Sequence, residues 1–275
     1  MIDKDSKLIV MLDDNSVFSD ISDLAVDSTR DPFSMTLVAA EDYLYLGLYK
    51  PFNASYIELE VPNTVSNTLT IEYYNGTSWV DANASDETLG LTRSGFIQWD
   101  KSNMGSVTIN STVGFYVRIK PGSDQSATTV RGINLVFSDD NTLKQEFFEI
   151  TNSNMLPVGE TSHIMKHVAA RNHIIQMLKQ QGYVKYDSSG TELNMTQWDL
   201  HDVIEIKQAA AMLALSKVFF NLSDSIDDNW WVKYLDYQGK FEESFRLAKL
   251  SFDLDDDGVK DEVEKAVYKS QRFSR

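Results

Sequence analysis

The chain reads as a multidomain α+β protein: an antiparallel, jelly-roll-like β-sandwich over residues 1–145, followed by an α-helical part over residues 155–275. Two observations carry this. Apolar residues alternate with polar ones in short runs up to about residue 140, and from about residue 160 they recur at helical spacing. Turn chemistry interrupts the first half at short intervals, and no segment between its runs has a helical pattern.

The strand candidates follow in order. Tyr43-Leu44-Tyr45-Leu46-Gly47-Leu48-Tyr49 closes at Lys50-Pro51, and Tyr56-Ile57-Glu58-Leu59-Glu60-Val61 alternates strictly up to Pro62-Asn63. Leu69 to Tyr74 runs into Asn75-Gly76, a two-residue hairpin signal that puts Trp79 on the return strand. Phe96 to Trp99, Gly114 to Ile119 and Val130 to Phe137 complete a set of short antiparallel strands, the pattern of a sandwich or jelly roll.

Helices take over beyond the loop-like Ser138-Asp139-Asp140-Asn141 and Pro157-Val158-Gly159. Ile164, Val168, Ile174, Ile175 and Leu178 share one face and stop at Gly182, a C-cap residue. A second helix is predicted from Thr196 to about Leu222, with Ala209-Ala210-Ala211 offering a thin flank for close packing. A third starts at Asp228 and aligns Trp230, Trp231, Tyr234, Phe241 and Phe245, with Gly239 its weakest position. A short last helix is predicted over Asp261 to Gln271.

Composition narrows the function. The chain has no cysteine, so disulfides and thiolate metal sites are excluded. A net charge of −16 disfavours a phosphate-binding surface, which needs clustered Lys and Arg, so nucleic acid is not an expected partner. No apolar run approaches the roughly 18 residues of a membrane span, and the N-terminus is polar and acidic rather than signal-like. The expectation is a protein made in a cytoplasm that does not enter a membrane.

Catalytic patterns are sparse. There is no Gly-x-Ser-x-Gly elbow, phosphate loop or dinucleotide fingerprint. His163 and His167 have a spacing that could share a zinc ion, but Lys166 stands where a zinc protease carries its glutamate. Solvated histidines on a helix surface are the preferred reading. An enzyme is not expected.

The sharpest motif is acidic. Asp253, Asp255 and Asp257 are followed by Gly258, Val259, Asp261 and Glu264, which is the spacing of an EF-hand calcium loop. Carboxylates would converge on the ion, Gly258 would allow the turn, Val259 would offer its carbonyl and Glu264 would return from the next helix. The expectation is a structural Ca2+ site; the alternative is a solvated acidic turn that caps the last helix.

Aromatics offer two further sites. Tyr73, Tyr74, Trp79, Trp99 and Tyr116 are read as filling the space between two sheets, with a sugar-stacking platform as the alternative. Trp230 and Trp231 point about 100° apart on a helix, so one enters the core and the other faces outward. With Tyr234 they form a candidate subunit interface, where tryptophan is enriched.

Two stretches resemble proteins of bacteriophage virions. Val203-Ile204-Glu205-Ile206-Lys207-Gln208-Ala209-Ala210-Ala211, Leu215 to Phe220 and Asp228-Asn229-Trp230-Trp231-Val232-Lys233-Tyr234 are similar to the helical core of phage head–tail connector (adaptor) proteins, several of which end in an acidic turn like that at Asp253. Ile71 to Trp79, Gly90 to Trp99 and Phe115 to Ile119 resemble a β-sandwich module recurrent in phage neck and baseplate proteins. The resemblance implies a non-enzymatic virion protein of the neck, synthesised in the bacterial host cytoplasm and assembled as a homo-oligomeric ring, commonly of twelve copies. Its implied partners are the portal protein and tail or other neck proteins. The appended sandwich departs from the minimal helical connector, and leaves a carbohydrate-binding or fibre-anchoring tail module as the alternative.

Overall fold

The computed structural model describes residues 7–27, 31–186, 191–193, 195–226, 228–254 and 258–259. The fold is mixed, with antiparallel sheets followed by helices. Twelve strands come first: Ile9–Asp14 (β1), Val17–Asp20 (β2), Phe33–Ser34 (β3), Tyr43–Leu48 (β4), Ala54–Val61 (β5), Leu69–Tyr74 (β6), Trp79–Asp81 (β7), Ser85–Asp86 (β8), Gly95–Gln98 (β9), Ser106–Ile109 (β10), Thr112–Pro121 (β11) and Thr129–Asn134 (β12). A two-stranded ribbon, Lys185–Tyr186 (β13) with Glu192–Leu193 (β14), follows. The five α-helices among the described residues are Ser22–Ala25 (α1), Asp140–Glu146 (α2), Ile164–Gln180 (α3), Ile204–Leu222 (α4) and Asn229–Leu247 (α5).

One sheet has seven strands in the order β2-β1-β4-β11-β6-β7, with β10 paired to β11; a second has five, β3-β12-β5-β9-β8. The hairpins have physical causes that the sequence reading missed or misjudged. The β1–β2 turn uses Asn15 and Ser16 at φ 49° and 72°, and the β10–β11 turn uses Asn110 and Ser111 at 44° and 67°. Both are two-residue turns of the left-handed kind that suits strand twist, made without glycine. The Asn75-Gly76 turn is longer than expected. Tyr74 pairs with Trp79 across a four-residue connection, in which the Asn75 side chain accepts from the backbone of Thr77 and Ser78 at 2.9 Å.

Alternation gives the seven-stranded sheet two unlike faces. Leu44, Leu46, Ile71, Val117 and Ile119 point into the main core, together with Tyr56, Ile57, Phe96 and Ile133 of the five-stranded sheet. Met11, Tyr45 and Tyr116 form a second buried cluster on the opposite face, edged by Phe18, Tyr43, Trp79, Val107 and Ile109. Trp79 and Tyr116 therefore do not fill the main core, as the sequence reading had them; Trp99 does. Trp79 is the cross-strand partner of Tyr74, on the same face as Glu72 rather than that of Ile71.

In the helical part, α3 ends as expected: Gly182 has φ +80°, and Tyr183 N–H donates to the Leu178 carbonyl at 3.1 Å while Gly182 N–H donates to Lys179 at 3.0 Å. The second helix starts later than expected. Thr196 caps only a short 3-10 turn, Gln197–Asp199, through a reciprocal capping box with Asp199, and α4 begins at Ile204. Its stretch from Ala209 to Ser216 is wholly buried, and it packs against α2, α3 and α5. Gly239 lies within α5 without ending it.

A single apolar cluster runs from Val10 and Leu46 of the sheets through Leu143, Ile150 and Met155 to Ile174, Leu213, Phe219 and Phe241. The connection expected to be a loop carries α2, whose first turn is capped by Asp139 accepting from Thr142 N at 2.8 Å. Among the described residues no helix is long and apolar enough to cross a membrane.

Gly47 faces Tyr116 across the β4–β11 pair, and a Cβ on it would lie 2.2 Å from the ring. The ring is fully buried. Gly47→Ala is expected to destabilise the fold by about 1–3 kcal/mol, read as a lower urea midpoint; an unchanged midpoint would mean that the ring shifts at no cost.

Candidate functional site

Where the helices meet the sheets, charged side chains are buried together. Lys50, just after β4, forms an ion pair with Asp199, and Lys185 of β13 approaches the same carboxylate oxygen at 3.2 Å. All three are at most 3 % exposed. Burial would raise the Asp199 carboxyl, but the two ammonium groups outweigh it and hold the group below the ordinary aspartate range. The other oxygen of Asp199 accepts from Thr196 Oγ1 at 2.9 Å and from Thr196 N at 2.5 Å, which fixes the turn ahead of α4.

The candidate calcium segment begins beside this cluster. Asp253 Oδ2 accepts from Lys101 Nζ at 2.6 Å, with both side chains buried, while its Oδ1 has no hydrogen-bond partner among the described residues. Asp253 N–H donates to the Asp199 carbonyl at 2.8 Å, and Leu200 and Phe252 form an antiparallel bridge. Gly258 has φ +78°, and Val259 is exposed. Asp255, Asp257, Asp261 and Glu264, and the helix expected over Asp261 to Gln271, lie outside the described residues. A cavity of about 600 Å³ opens next to Gly258, lined by Asn53, Gln98, Trp99, Lys101, His201 and Asp202 among others.

The paired histidines do not face solvent, contrary to the sequence reading. His163 and His167 are each 1 % exposed, because the face of α3 that carries them meets Ser138, Asp140 and the Ile150 carbonyl. They do not converge on one point. His163 Nε2 donates to the Ile150 carbonyl at 2.8 Å; His167 Nδ1 meets Ser138 Oγ at 2.8 Å, and its Nε2 meets Asp140 Oδ1 at 3.0 Å. Ser138, His167 and Asp140 are thus linked like a catalytic triad, but Ser138 is wholly buried. Nearby, burial raises the Glu58 carboxyl, and Tyr56 donates to it at 2.7 Å. Arg171 completes the seam, donating to the Leu135 carbonyl at 2.8 Å, with its guanidinium lowered by burial to about 10.

The candidate interface residues lie at the α4–α5 turn. Asp228 caps α5, accepting from Trp231 N at 2.6 Å, and also accepts from Asp224 N at 2.7 Å, so one carboxylate shapes the whole connection. Trp230 stacks on the buried Phe219 at 5.7 Å with ring planes 10° apart. Trp231 instead joins Tyr234 and Phe220 in an outer cluster with centroid distances of 5.0 to 6.3 Å. Around it Phe220, Ile226, Val232 and Leu235 are 52–69 % exposed. Both tryptophans are half-buried, and only Trp230 packs against the main core.

Sequence reasoning missed Lys50, Lys101, Lys185 and Asp199, and also Ser138, Asp140 and Glu58. A faint signal existed: Lys50 sits between Tyr49 and Pro51-Phe52, and Lys101 follows Trp99-Asp100, so both interrupt aromatic segments. Comparison of the chain with protein-family models, curated proteins and solved structures returns no match.

Burial holds His163 below the ordinary imidazole value, against the opposing pull of its Ile150 bond and of Asp140. As pH falls through about 6.5 the unfolded chain takes up this proton first, so the stability due to the neutral ring is full above that pH and declines below it. Asp140 titrates later: burial would raise it, but the His167 hydrogen bond and charge hold it below the usual range, so its contribution is lost only in stronger acid. Urea unfolding between about pH 7 and about pH 5.5 is expected to show falling stability, with a shallower slope in His163→Gln. Identical slopes would assign the effect to other groups.

Proposed function

We propose that this chain is a non-enzymatic structural protein of a bacteriophage virion, a head–tail connector that forms a ring between portal and tail. The observation that carries the reading is the outer aromatic cluster Phe220, Trp231 and Tyr234, with Val232 and Leu235 exposed beside it. Apolar surface concentrated at one helical turn is what a subunit or partner interface presents, and Trp and Tyr are the residues that dominate such contacts. It lies within the segment that resembles connector proteins.

In this reading the two sheets form a jelly-roll-like β-sandwich over residues 1–145, which projects towards neighbouring neck or tail proteins. The helical domain over residues 155–275 builds the ring, of twelve copies, and meets the portal protein. The protein is made in the host cytoplasm and resides in the virion neck. A second reading, a fibre-anchoring or carbohydrate-binding module, has one observation in its favour: Tyr43, Tyr74 and Trp79 are only half-buried on the open face of the seven-stranded sheet. Their rings are tilted, with Trp79 at 67° to Tyr74, rather than forming a flat platform, and Trp99 is buried.

Electron microscopy and sedimentation of the purified protein, alone and with portal protein, test the assignment. Rings are expected for the wild type, and Trp231→Ala with Leu235→Asp is expected to abolish them while leaving the melting temperature within a few degrees. A wild type that stays monomeric under both conditions, with hits on a glycan array, would favour the second reading.

A further inference from the structure

We infer that Lys101 supplies the cation of the acidic segment that begins at Asp253, so that this joint between sheets and helices is closed by an ammonium group in the place a calcium ion would take. A calcium loop needs its first carboxylate free to converge with others on one ion, at oxygen distances of about 2.3–2.6 Å. Asp253 is not free in this way. It is wholly buried, Lys101 Nζ donates to its Oδ2 at 2.6 Å, and Lys101 is itself 4 % exposed. The backbone of Asp253 is fixed as well, since its N–H donates to the Asp199 carbonyl at 2.8 Å.

The other hallmark of the motif, Gly258, also has a cause that requires no ion. A Cβ there would stand 2.8 Å from Pro51 Cβ and 3.3 Å from the Lys101 carbonyl oxygen, and its φ is +78°. The glycine lets the backbone at residue 258 lie against Pro51, next to the Lys101 carbonyl. The first carboxylate is thus accounted for by Lys101, and the glycine by its positive φ and by the close approach of Pro51. Among the described residues Asp253 Oδ1 has no hydrogen-bond partner. A divalent ion at that oxygen would be held in low dielectric close to a buried ammonium, and the repulsion would oppose its binding. The inference does not depend on ring assembly.

Thermal unfolding of the full chain tests it, in calcium, in chelator and in sodium matched for ionic strength, for the wild type, Lys101→Met, Asp253→Asn and the double variant. The wild-type melting temperature is expected to be the same in calcium as in the sodium control. Each single change leaves a buried charge alone and lowers the melting temperature, and the double variant regains much of the loss because neither charge remains. A saturable rise of the wild-type melting temperature with calcium would overturn the inference, and so would strictly additive losses. If the single variants fail to fold, a folded double variant still shows the coupling, and the calcium response of the wild type decides alone.

Discussion

The carboxylate of Asp199 is the point from which the rest of the arrangement is hung. It receives Lys50 from the end of a sheet strand and Lys185 from the small ribbon, while its second oxygen closes the turn that precedes α4. Its own carbonyl accepts from Asp253, which in turn takes Lys101. Such a cluster adds little net stability, because removing charges from water costs about what their attraction returns. What it provides is selectivity. An arrangement that misplaces one member leaves a buried charge alone, at about 3–5 kcal/mol, so a single way of seating the helices on the sheets is favoured over near alternatives.

The helical hairpin shows the same economy with apolar groups. Two adjacent aromatic pairs, Phe219-Phe220 and Trp230-Trp231, face each other across the turn, and each is split by the helical rotation between neighbours. Phe219 and Trp230 stack inside, with Phe147 edge-on to Phe219 at 5.3 Å and Lys233 above the Phe147 ring at 4.6 Å. Phe220 and Trp231 are left outside with Tyr234. Of these four positions only Phe219 is fully buried; Trp230 and Trp231 are half-buried and Phe220 is exposed.

Much of this was legible in the sequence because local period and local chemistry decide it. The alternation of Tyr56 to Val61, the Schellman end at Gly182 and the cap at Asp228 need only neighbours in the chain. The losses occurred where distant groups decide. Thr196 looked like the start of a long helix, but Asp199 is drawn to lysines far away, and the helix waits until Ile204. His163 and His167 looked like surface residues because nothing local shows that Ser138 and Asp140 lie over them. The sites were the least legible part: Lys50 and Asp199 are 149 positions apart, and no spacing rule connects them. The hairpins at Asn15-Ser16 and Asn110-Ser111 escaped for another reason, since Asn and Ser reach left-handed φ values at a cost that glycine avoids.

That long separation also sets a schedule for biosynthesis. Lys50 and Lys101 are made well before their partners: Asp199 follows Lys50 by 149 positions, and Asp253 follows Lys101 by 152. At about 5–20 residues per second, a ribosome takes roughly eight to thirty seconds to bridge either gap. During that interval the sheets can pair, but the end that carries both lysines has no carboxylate to bury them with and must stay hydrated. The docking of Ser251 to Asp253 beside residues 199–201 has to wait until that part of the chain has been made. Contacts of such long range favour slow folding, and the sheet surface destined for the helices stays open to other chains until the residues up to Asp253 have been made.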